Sequence, residues 1–564
     1  MGGVALLLCG AVWATPVDEM LAKAEALYAQ GQYEQAFAAF KQAADRGDAE
    51  AQYLLGRMYG RGEGTAKDDT VAAELYHKAA SQDFSKAQYN LGVMYHQGRG
   101  VAKDSTQAAA WYRKAADQGE AKAQYNLGIL YAEGEGVVKS DAQALEWFLK
   151  AAEQGEANAQ FNTGLMYDQR RGVARNSTKA AAWYRKAADQ GHAEAQYNLG
   201  ILYAEGNGVI KSDAQALEWF LKAAEQGKAN AQFNAGLMYY QGRGVTRNAA
   251  EALAWYRKAA DQGVVEAQYN LGNAYSDGSG VSQDYEKAAE WWRKAAEQGY
   301  VDAQFNLGLS FQKGQGVPRN LAHAVRWWRK AAEQGEKKAQ YNLGVSYDIG
   351  KGVPQNYAEA AKWYRYAADQ GLAVAQYNIG LMYSTGQGVE KNHTQAAEWY
   401  HKAAEQGDVD AQLKLGRLYL DGKGVDKSYS QAAQWYIKAA EQGNANAQFN
   451  LGLMYNNGQG VSQDFEAAAF WYQQAAEQEV ADAQNNLGLL YRTGSGVPRN
   501  YTLAAEWYRK AADQNYALAQ YNLGLAYELG ESVPKNKRVA IQWYQKAAAQ
   551  GDVSAKNRLD GLTK

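Results

Sequence analysis

Cysteine and proline are both scarce in this chain of 564 residues. The one cysteine, Cys9, lies within the first fourteen residues, so the rest of the chain can form no disulfide and has no thiol chemistry. With 5 prolines, 41 tyrosines and 47% hydrophobic residues, the composition is too apolar and too aromatic for a disordered chain. The 58 glycines must therefore punctuate folded structure.

An excess of charge of either sign is also missing. Lys and Arg together number 59 and Asp and Glu number 61, and the two signs alternate along the chain without a basic run. This balance argues against a protein that binds nucleic acid or lies on a membrane surface. Beyond residue 14 no apolar run approaches the roughly 20 residues of a membrane-spanning helix, so we expect no membrane span.

The first fourteen residues, MGGVALLLCGAVWA, form a short apolar run. The run is too short to span a bilayer, and the small residues Val12 and Ala14 suit signal peptidase, so we predict a signal peptide over residues 1–14. The positively charged start of such a leader is missing. Two alternatives stay open: a lipid anchor on Cys9, which the preceding Leu8 disfavours, and a buried or frayed N-terminus. We expect an exported monomer, periplasmic or secreted.

The dipeptide Ala-Gln recurs fourteen times at intervals of 36 residues, with no insertion between the copies. Its alanines are Ala51, Ala87, Ala123, Ala159, Ala195, Ala231, Ala267, Ala303, Ala339, Ala375, Ala411, Ala447, Ala483 and Ala519. Periods of roughly 20–50 residues indicate solenoids, in which each unit buries its core against its neighbours.

The residue pattern of each 36-residue unit predicts two helices. Ala123, Leu127 and Tyr131 recur on one helical face, and a Gly-x-Gly loop that starts at Gly134 then breaks the chain. Asp, Asn or Ser follows the loop where a second helix needs an N-cap, as at Ser140. The second helix carries paired alanines and a Trp-Tyr pair and stops at a glycine. Strand signals are absent, so we predict an all-α protein.

A glycine interrupts the middle of the first helix in all fourteen units, as Gly128 does. Glycine there costs roughly 1 kcal/mol relative to alanine, or roughly 14 kcal/mol over the array. We expect close approach of the second helix to compensate, with an aromatic ring over the missing side chain. All tryptophans except Trp13 lie at or beside the Trp-Tyr sites, so we predict that Trp supplies that ring.

The unit reads A-x-x-x-L-G-x-x-Y-x-x-G-x-G-V-x-x-[DN]-x-x-x-A-x-x-W-Y-x-K-A-A-x-x-G, which resembles the Sel-one-like repeat, a relative of the tetratricopeptide repeat. The resemblance covers residues 51–554 as fourteen repeats. It implies an α/α superhelical solenoid whose first helices line a concave face. Residues 15–50 resemble a plain tetratricopeptide hairpin, and residues 555–564 predict a polar closing helix. We interpret both segments as caps.

Five residues replace glycines of this pattern. Arg170 and Ser532 stand at loop glycines, and Asp83, Glu479 and Asn515 stand at the glycine that ends the second helix. Glycine reaches left-handed backbone angles that other residues adopt at a cost, so we expect local strain at these sites.

Side chains that could carry chemistry do not cluster in the sequence. The six histidines share no position in the unit and have no metal-ligand spacing, so we expect no metal, no cofactor and no catalytic residue. Some members of the resembled family are linked to cell-wall or β-lactam chemistry, which makes such an enzyme the alternative function. The Ser-x-x-Lys from Ser532 to Lys535 lies in a loop, without the Ser-Asp-Asn or Lys-Thr-Gly that would complete the signature. We predict a scaffold for a protein or peptide, not an enzyme.

Asparagine occupies one position of the first helix in twelve of the fourteen units, although it costs up to roughly 0.7 kcal/mol relative to alanine in a helix. Helical geometry places this position away from the core residues. In a tetratricopeptide-like stack the asparagines would form a row that offers donors and acceptors to an extended backbone. Alternatively, each Asn bonds to a neighbouring helix or loop, or was merely copied with its unit. The candidate partner-binding residues are Asn90, Asn126, Asn162, Asn198, Asn234, Asn270, Asn306, Asn342, Asn378, Asn450, Asn486 and Asn522.

Overall fold

Helices make up all of the regular secondary structure that is described. The structure is a computed structural model that describes residues 16–531 and 533–563, and these residues form 31 helices and no strand. The prediction of an all-α protein is confirmed. The longest described helix has 14 residues, and none in the described ranges is both long and apolar enough to cross a bilayer. The predicted signal peptide, residues 1–14, lies outside the described residues.

The chain divides into two compact units, residues 1–283 and residues 284–564. The described part of the first unit contains α1 (Pro16–Ala29), α2 (Tyr33–Asp45), α3 (Ala49–Arg61), α4 (Asp69–Ala80), α5 (Ser85–Gln97), α6 (Ser105–Asp117), α7 (Ala121–Glu133), α8 (Asp141–Glu153), α9 (Ala157–Gln169), α10 (Ser177–Asp189), α11 (Ala193–Glu205), α12 (Asp213–Glu225), α13 (Ala229–Gln241), α14 (Ala249–Asp261) and α15 (Val265–Asp277).

The described part of the second unit continues the alternation of first and second helices. It contains α16 (Tyr285–Glu297), α17 (Val301–Lys313), α18 (Leu321–Glu333), α19 (Lys337–Ile349), α20 (Tyr357–Asp369), α21 (Ala373–Thr385), α22 (His393–Glu405), α23 (Val409–Asp421), α24 (Tyr429–Glu441), α25 (Ala445–Asn457), α26 (Phe465–Glu477), α27 (Ala481–Thr493), α28 (Tyr501–Asp513), α29 (Ala517–Leu529), α30 (Lys537–Ala549) and α31 (Val553–Thr563). From α3 to α30, odd numbers are the first helices of repeats and even numbers the second helices.

Local signals set the ends of both helices in a repeat. Asp104 caps α6 and accepts hydrogen bonds from the backbone amides of Thr106 and Gln107 at 2.9 and 3.0 Å. The first helix α7 ends where Gly134 turns into the left-handed region at φ 80° and its amide donates to the Leu130 carbonyl at 2.8 Å. Both devices satisfy backbone groups that a helix end leaves without partners, so the predicted caps are confirmed.

The two helices of a repeat meet at the glycine of the first helix. A Cβ added to Gly128 would lie 2.6 Å from the Phe148 ring, so the predicted contact between an aromatic ring and the missing side chain is confirmed. The prediction that Trp supplies this ring is wrong for most repeats. The ring belongs to the residue after the Trp position, usually Tyr, although Trp328 fills the place over Gly308.

The preceding tryptophan points elsewhere because one residue of an α-helix turns the side chain by about 100°. Trp147 is buried, and the ammonium of Lys150 lies 4.0 Å from the centre of its ring. The same stacking places Lys258 at 3.8 Å from Trp255 and Lys510 at 3.9 Å from Trp507. In these repeats the tryptophan has a lysine ammonium over its ring, while the ring of the following residue fills the core.

Within each unit, extensive packing joins helices that are consecutive in the chain. The second loop glycine also touches the preceding repeat, because a Cβ on Gly136 would overlap the Ser105 carbonyl at the start of α6. This nearest-neighbour packing is the solenoid arrangement that the period predicts.

The terminal helices extend the stack beyond the repeats. In the first unit the hairpin α1–α2 packs against α3, and the Tyr28 hydroxyl donates to Glu63 at 2.6 Å. In the second unit α31 packs against α30 with Ala555 fully buried, and Arg558 pairs with Glu528 at 3.3 Å. The last helix begins two residues before the boundary at 555 that the sequence analysis proposes.

Candidate protein-binding surface

The twelve predicted asparagines lie at the sixth position of their first helices, and all twelve are half-buried. In the first unit they are Asn90, Asn126, Asn162, Asn198, Asn234 and Asn270. In the second unit they are Asn306, Asn342, Asn378, Asn450, Asn486 and Asn522. We call these two sets together the asparagine row. A half-buried position agrees with a face away from the core and leaves part of each amide accessible.

Asparagines of the row lie beside tyrosines of the preceding repeat. Burial raises the pKa of Tyr112 on α6, and a side-chain contact with Asn126 on α7 opposes that increase. Asn126 also contacts Tyr89, whose pKa is likewise raised by burial. Burial raises the pKa of Tyr76 to about 12, again against the effect of Asn90. The same neighbourhood pairs Asn198 with Tyr184, Asn270 with Tyr256, Asn378 with Tyr364 and Asn486 with Tyr472.

Some of these tyrosine hydroxyls have hydrogen-bonding capacity that the protein does not use. The buried hydroxyl oxygens of Tyr184, Tyr256, Tyr436 and Tyr508 make no hydrogen bond of good geometry with any residue that the structure describes. Asn198 lies close to the Tyr184 hydroxyl and Asn270 lies close to the Tyr256 hydroxyl, but neither pair has the geometry of a good hydrogen bond. An unsatisfied buried hydroxyl costs about 1–3 kcal/mol.

Two members of the row line cavities. Asn270 borders a cavity of about 210 Å³ together with Tyr240, Tyr256 and Asp277. In a different part of the first unit, a cavity of about 300 Å³ has Asn90 among its lining residues. The first cavity combines aromatic walls with a few polar groups, which is the composition typical of binding sites, whereas the second is lined mainly by charged and polar groups such as Arg57, Arg61 and Arg99.

A second polar row, of glutamines in the Ala-Gln dipeptides, has a structural role that the sequence pattern alone did not indicate. Gln124 is 5% exposed and donates from its side chain to the Ala116 carbonyl of the preceding repeat at 3.1 Å. Its amide oxygen accepts a hydrogen bond at 2.8 Å from Gln154, the residue that follows α8. Glutamine occupies both positions in all fourteen units, and that invariance is the signal that could have identified the pair.

The glutamines already supply polar contacts that stabilise the stack, so the asparagines are not needed for that role. The pair at Gln124 and Gln154 recurs, for example, at Gln232 and Gln262 and at Gln448 and Gln478, each at 2.8 Å. Each pair joins the first helix of a repeat to the end of its second helix, while the bond from Gln124 to Ala116 joins consecutive repeats. Structural and partner-binding roles of the asparagine row both remain predictions.

The groups examined for catalysis or metal binding are dispersed. No set of three or more His, Cys, Asp or Glu in the described ranges could hold a metal ion. His192 stacks on Phe161 at 4.7 Å and accepts from the Ala195 amide at 3.2 Å, so it acts as a helix cap. Its pKa is lowered by burial. Ser532, on which the alternative enzyme function depends, lies outside the described residues.

Comparisons with known proteins agree with this architecture. The sequence profile of the Sel1 repeat matches fourteen consecutive segments of 36 residues from 49–84 to 517–552. A tetratricopeptide repeat profile matches residues 21–64. No curated protein matches the chain significantly.

Solved structures include similar proteins. One is c5321, a protective antigen present in uropathogenic Escherichia coli strains and displaying an SLR fold. It is 35% identical over 85% of this chain and 95% of its own, with a TM-score of 0.66. A Sel1 repeat protein from Oxalobacter formigenes is 35% identical over 61% of this chain and 97% of its own, with a TM-score of 0.43. This chain belongs to the Sel1 repeat family.

Proposed function

We propose that this chain is an exported scaffold that binds an extended segment of a protein or peptide along the asparagine row, on the concave face expected for such a stack. Stacked helical repeats present long surfaces suited to this task. The family assignment supports the general role, because solenoids of Sel1 and tetratricopeptide repeats are typical interaction scaffolds.

The observation that carries the proposal is the unused polar capacity at the row. Buried hydroxyls of Tyr184 and Tyr256 have no hydrogen-bond partner of good geometry, although Asn198 and Asn270 lie beside them. An extended backbone offers alternating N–H donors and C=O acceptors, and the asparagine amide can satisfy both kinds. Binding of such a segment would give the half-buried asparagine amides hydrogen-bond partners on the bound backbone.

The test removes three asparagines of one unit by the combined substitutions Asn162→Ala, Asn198→Ala and Asn234→Ala. Alanine raises helix propensity by up to about 0.7 kcal/mol per site, so we expect the melting temperature to stay unchanged or rise. We expect the variant to lose the partner that the full chain captures from a cell-envelope extract, identified by mass spectrometry. Binding is then measured with that purified partner.

The matched control changes the glutamine two residues earlier in the same helices, by Gln160→Ala, Gln196→Ala and Gln232→Ala. These side chains are buried and each joins two repeats, so their loss should lower the melting temperature clearly. If the asparagine variant also loses stability, or if it retains the partner with unchanged affinity, the asparagine row is not the binding surface.

The export proposal rests on the apolar leader and on one relative. The leader run MGGVALLLCGAVWA suits signal peptidase, and a protein 35% identical to this chain is a protective antigen. N-terminal sequencing of the protein recovered from cells should find the leader removed near Ala14; a mature chain that still contains Leu6 to Leu8 would contradict the proposal.

A further inference from the structure

A cavity of about 590 Å³ lies in the second unit where α16, α17 and α18 meet. Four cationic side chains line it, those of Arg293, Arg319, Arg326 and Lys330, against a single carboxylate, that of Glu297. We call this feature the basic cavity. It stands out in a chain whose positive and negative residues are otherwise balanced.

One departure from the repeat frees Arg293 to face this cavity. In neighbouring repeats the equivalent arginine donates to a tyrosine hydroxyl eighteen residues later, as Arg329 does to Tyr347 at 2.6 Å. Arg365 donates to Tyr383 in the same way at 3.1 Å. Position 311 is the one place among the fourteen repeats where Phe replaces this tyrosine. Arg293 therefore has no hydroxyl to donate to.

A second departure adds another cation. Arg326 stands where six other repeats carry glutamate: Glu74, Glu146, Glu218, Glu290, Glu398 and Glu506. Neither Arg293 nor Arg326 forms an ion pair with any residue in the described ranges, Glu297 included. Both side chains are exposed. The two replacements thus produce two unpaired guanidinium groups on the wall of one cavity.

Aromatic groups form the rest of the wall. Phe311 is buried, with the His323 ring edge-on at 5.0 Å, and Lys330 lies 4.4 Å from the centre of the Trp327 ring. Rigid apolar walls with guanidinium groups at the rim suit an anionic side chain, since arginine binds carboxylates through paired hydrogen bonds.

We propose that the basic cavity binds an acidic segment of a partner polypeptide, with carboxylates on Arg293 and Arg326. This inference deepens the proposed scaffold function and rests on it, because it names the chemistry of the partner. The charges are complementary, and the volume lies within the range of about 300–1,000 Å³ that holds ligands much larger than a single small anion. The two arginines come from adjacent repeats, which favours a segment long enough to reach both.

Fluorescence anisotropy tests the proposal with the full chain and a labelled peptide that alternates glutamate and serine; the matched peptide contains glutamine instead. We expect only the acidic peptide to bind. The combined Arg293→Gln and Arg326→Gln variant should weaken it by about tenfold or more, because two charge-assisted hydrogen bonds are lost. The control variant, Arg113→Gln with Arg509→Gln, makes the same change in net charge at the register of Arg293 in other repeats and should retain the peptide.

A second variant leaves the net charge unchanged. Phe311→Tyr restores the hydroxyl found in the other repeats, and it should draw Arg293 away from the cavity and weaken the acidic peptide several-fold. Equal loss of binding in the control variant would overturn the proposal in favour of general charge attraction. Binding of inorganic phosphate without binding of the peptide would overturn it in favour of a small-anion site.

The scaffold function can stand while the basic cavity fails. If the combined Arg293→Gln and Arg326→Gln variant binds the acidic peptide as well as the unaltered chain does, the cavity is not its site. The partner captured by the full chain, and its loss in the asparagine variant, would be unaffected by that result. The full chain could instead capture no partner while the combined arginine variant binds the acidic peptide more weakly than the unaltered chain does. In that case the scaffold function fails and the proposal for the basic cavity stands.

Discussion

Four residues other than glycine adopt left-handed backbone angles among the described residues. They are Asp83 at φ 63°, Arg170 at 61°, Glu479 at 65° and Asn515 at 64°. Each stands where the repeat pattern has glycine, so the left-handed angles behind the expectation of strain are present at these four, and the strain itself stays a prediction; the fifth site, Ser532, is not described. Such angles cost a residue with a Cβ about 1–2 kcal/mol, except where Asn tolerates them better.

The strain at Arg170 should be removable. Arg170 is exposed, and its backbone forms the turn that ends α9, where its amide donates to the Met166 carbonyl. Arg170→Gly should stabilise this turn by about 0.5–1 kcal/mol, since relief of the left-handed angle exceeds the extra entropy of glycine in the unfolded chain. Slower amide hydrogen exchange in α9 and α10 would show this gain. Local exchange is the suitable measure, because a long repeat array does not unfold as one two-state system.

The reverse substitution is the control. Gly206 occupies the same place after α11, with φ 78°. Gly206→Arg should speed exchange in α11 and α12 by a similar free energy. If Arg170→Gly leaves exchange unchanged while Gly206→Arg speeds it, the angle at Arg170 is not strained.

At the scale of the element, the helix pair depends on a glycine that propensity alone would disfavour. A Cβ on Gly200 would lie 2.7 Å from two atoms of the Phe220 ring and 3.3 Å from the Ala216 carbonyl. Overpacking of this kind costs about 1–3 kcal/mol, whereas alanine gains only about 1 kcal/mol in helix propensity. The glycine therefore belongs to the packing between the two helices.

Gly200→Ala should consequently destabilise the pair α11–α12 by up to about 2 kcal/mol, seen as faster hydrogen exchange in both helices. Gly60 offers a matched control, since it is also helical but a Cβ there would meet only Ala72 at a comfortable 3.8 Å. Gly60→Ala should stabilise α3 by up to about 1 kcal/mol. Equal effects of the two substitutions would show that the ring contact is unimportant.

Stability of the whole molecule is distributed over contacts between neighbouring repeats. The bonds from glutamines such as Gln124 to the preceding repeat, the loop glycines and the helix packing each join one repeat to the next within a unit. No described part of either unit depends on extensive packing between helices far apart in the chain. A whole repeat is therefore the smallest segment whose removal still lets the two flanking repeats pack against each other.

Removal of residues 195–230 should leave a folded, shorter protein. The deletion joins Glu194 to Ala231 and keeps the 36-residue register, so the same positions of the repeat meet at the new junction. Removal of the eighteen residues 195–212 should not, because α12 would lose the helix against which Phe220 packs. Circular dichroism and limited proteolysis measure both outcomes. If the 36-residue deletion unfolds the protein as fully as the shorter one, stability is not a sum over neighbouring repeats.

The period of 36 residues, the caps such as Asp104 and the left-handed turn at Arg170 were all predictable. Each depends on residues within one or two turns of each other, and local backbone chemistry determines them. The asparagine row could also be placed on its helix face, because 100° per residue orients a side chain relative to its own helix.

Only the tertiary structure decided the contacts between elements. The sequence suggested Trp over the central glycine, but packing placed the next residue there, as Phe148 shows over Gly128. It likewise joined Gln124 to Gln154 and brought Arg293 and Arg326 to the wall of one cavity. These neighbours are separated by twenty or more residues, and their proximity depends on how two or three helices stack. The residue pattern of a single helix does not specify how helices stack, so these contacts are determined only when the repeats pack together.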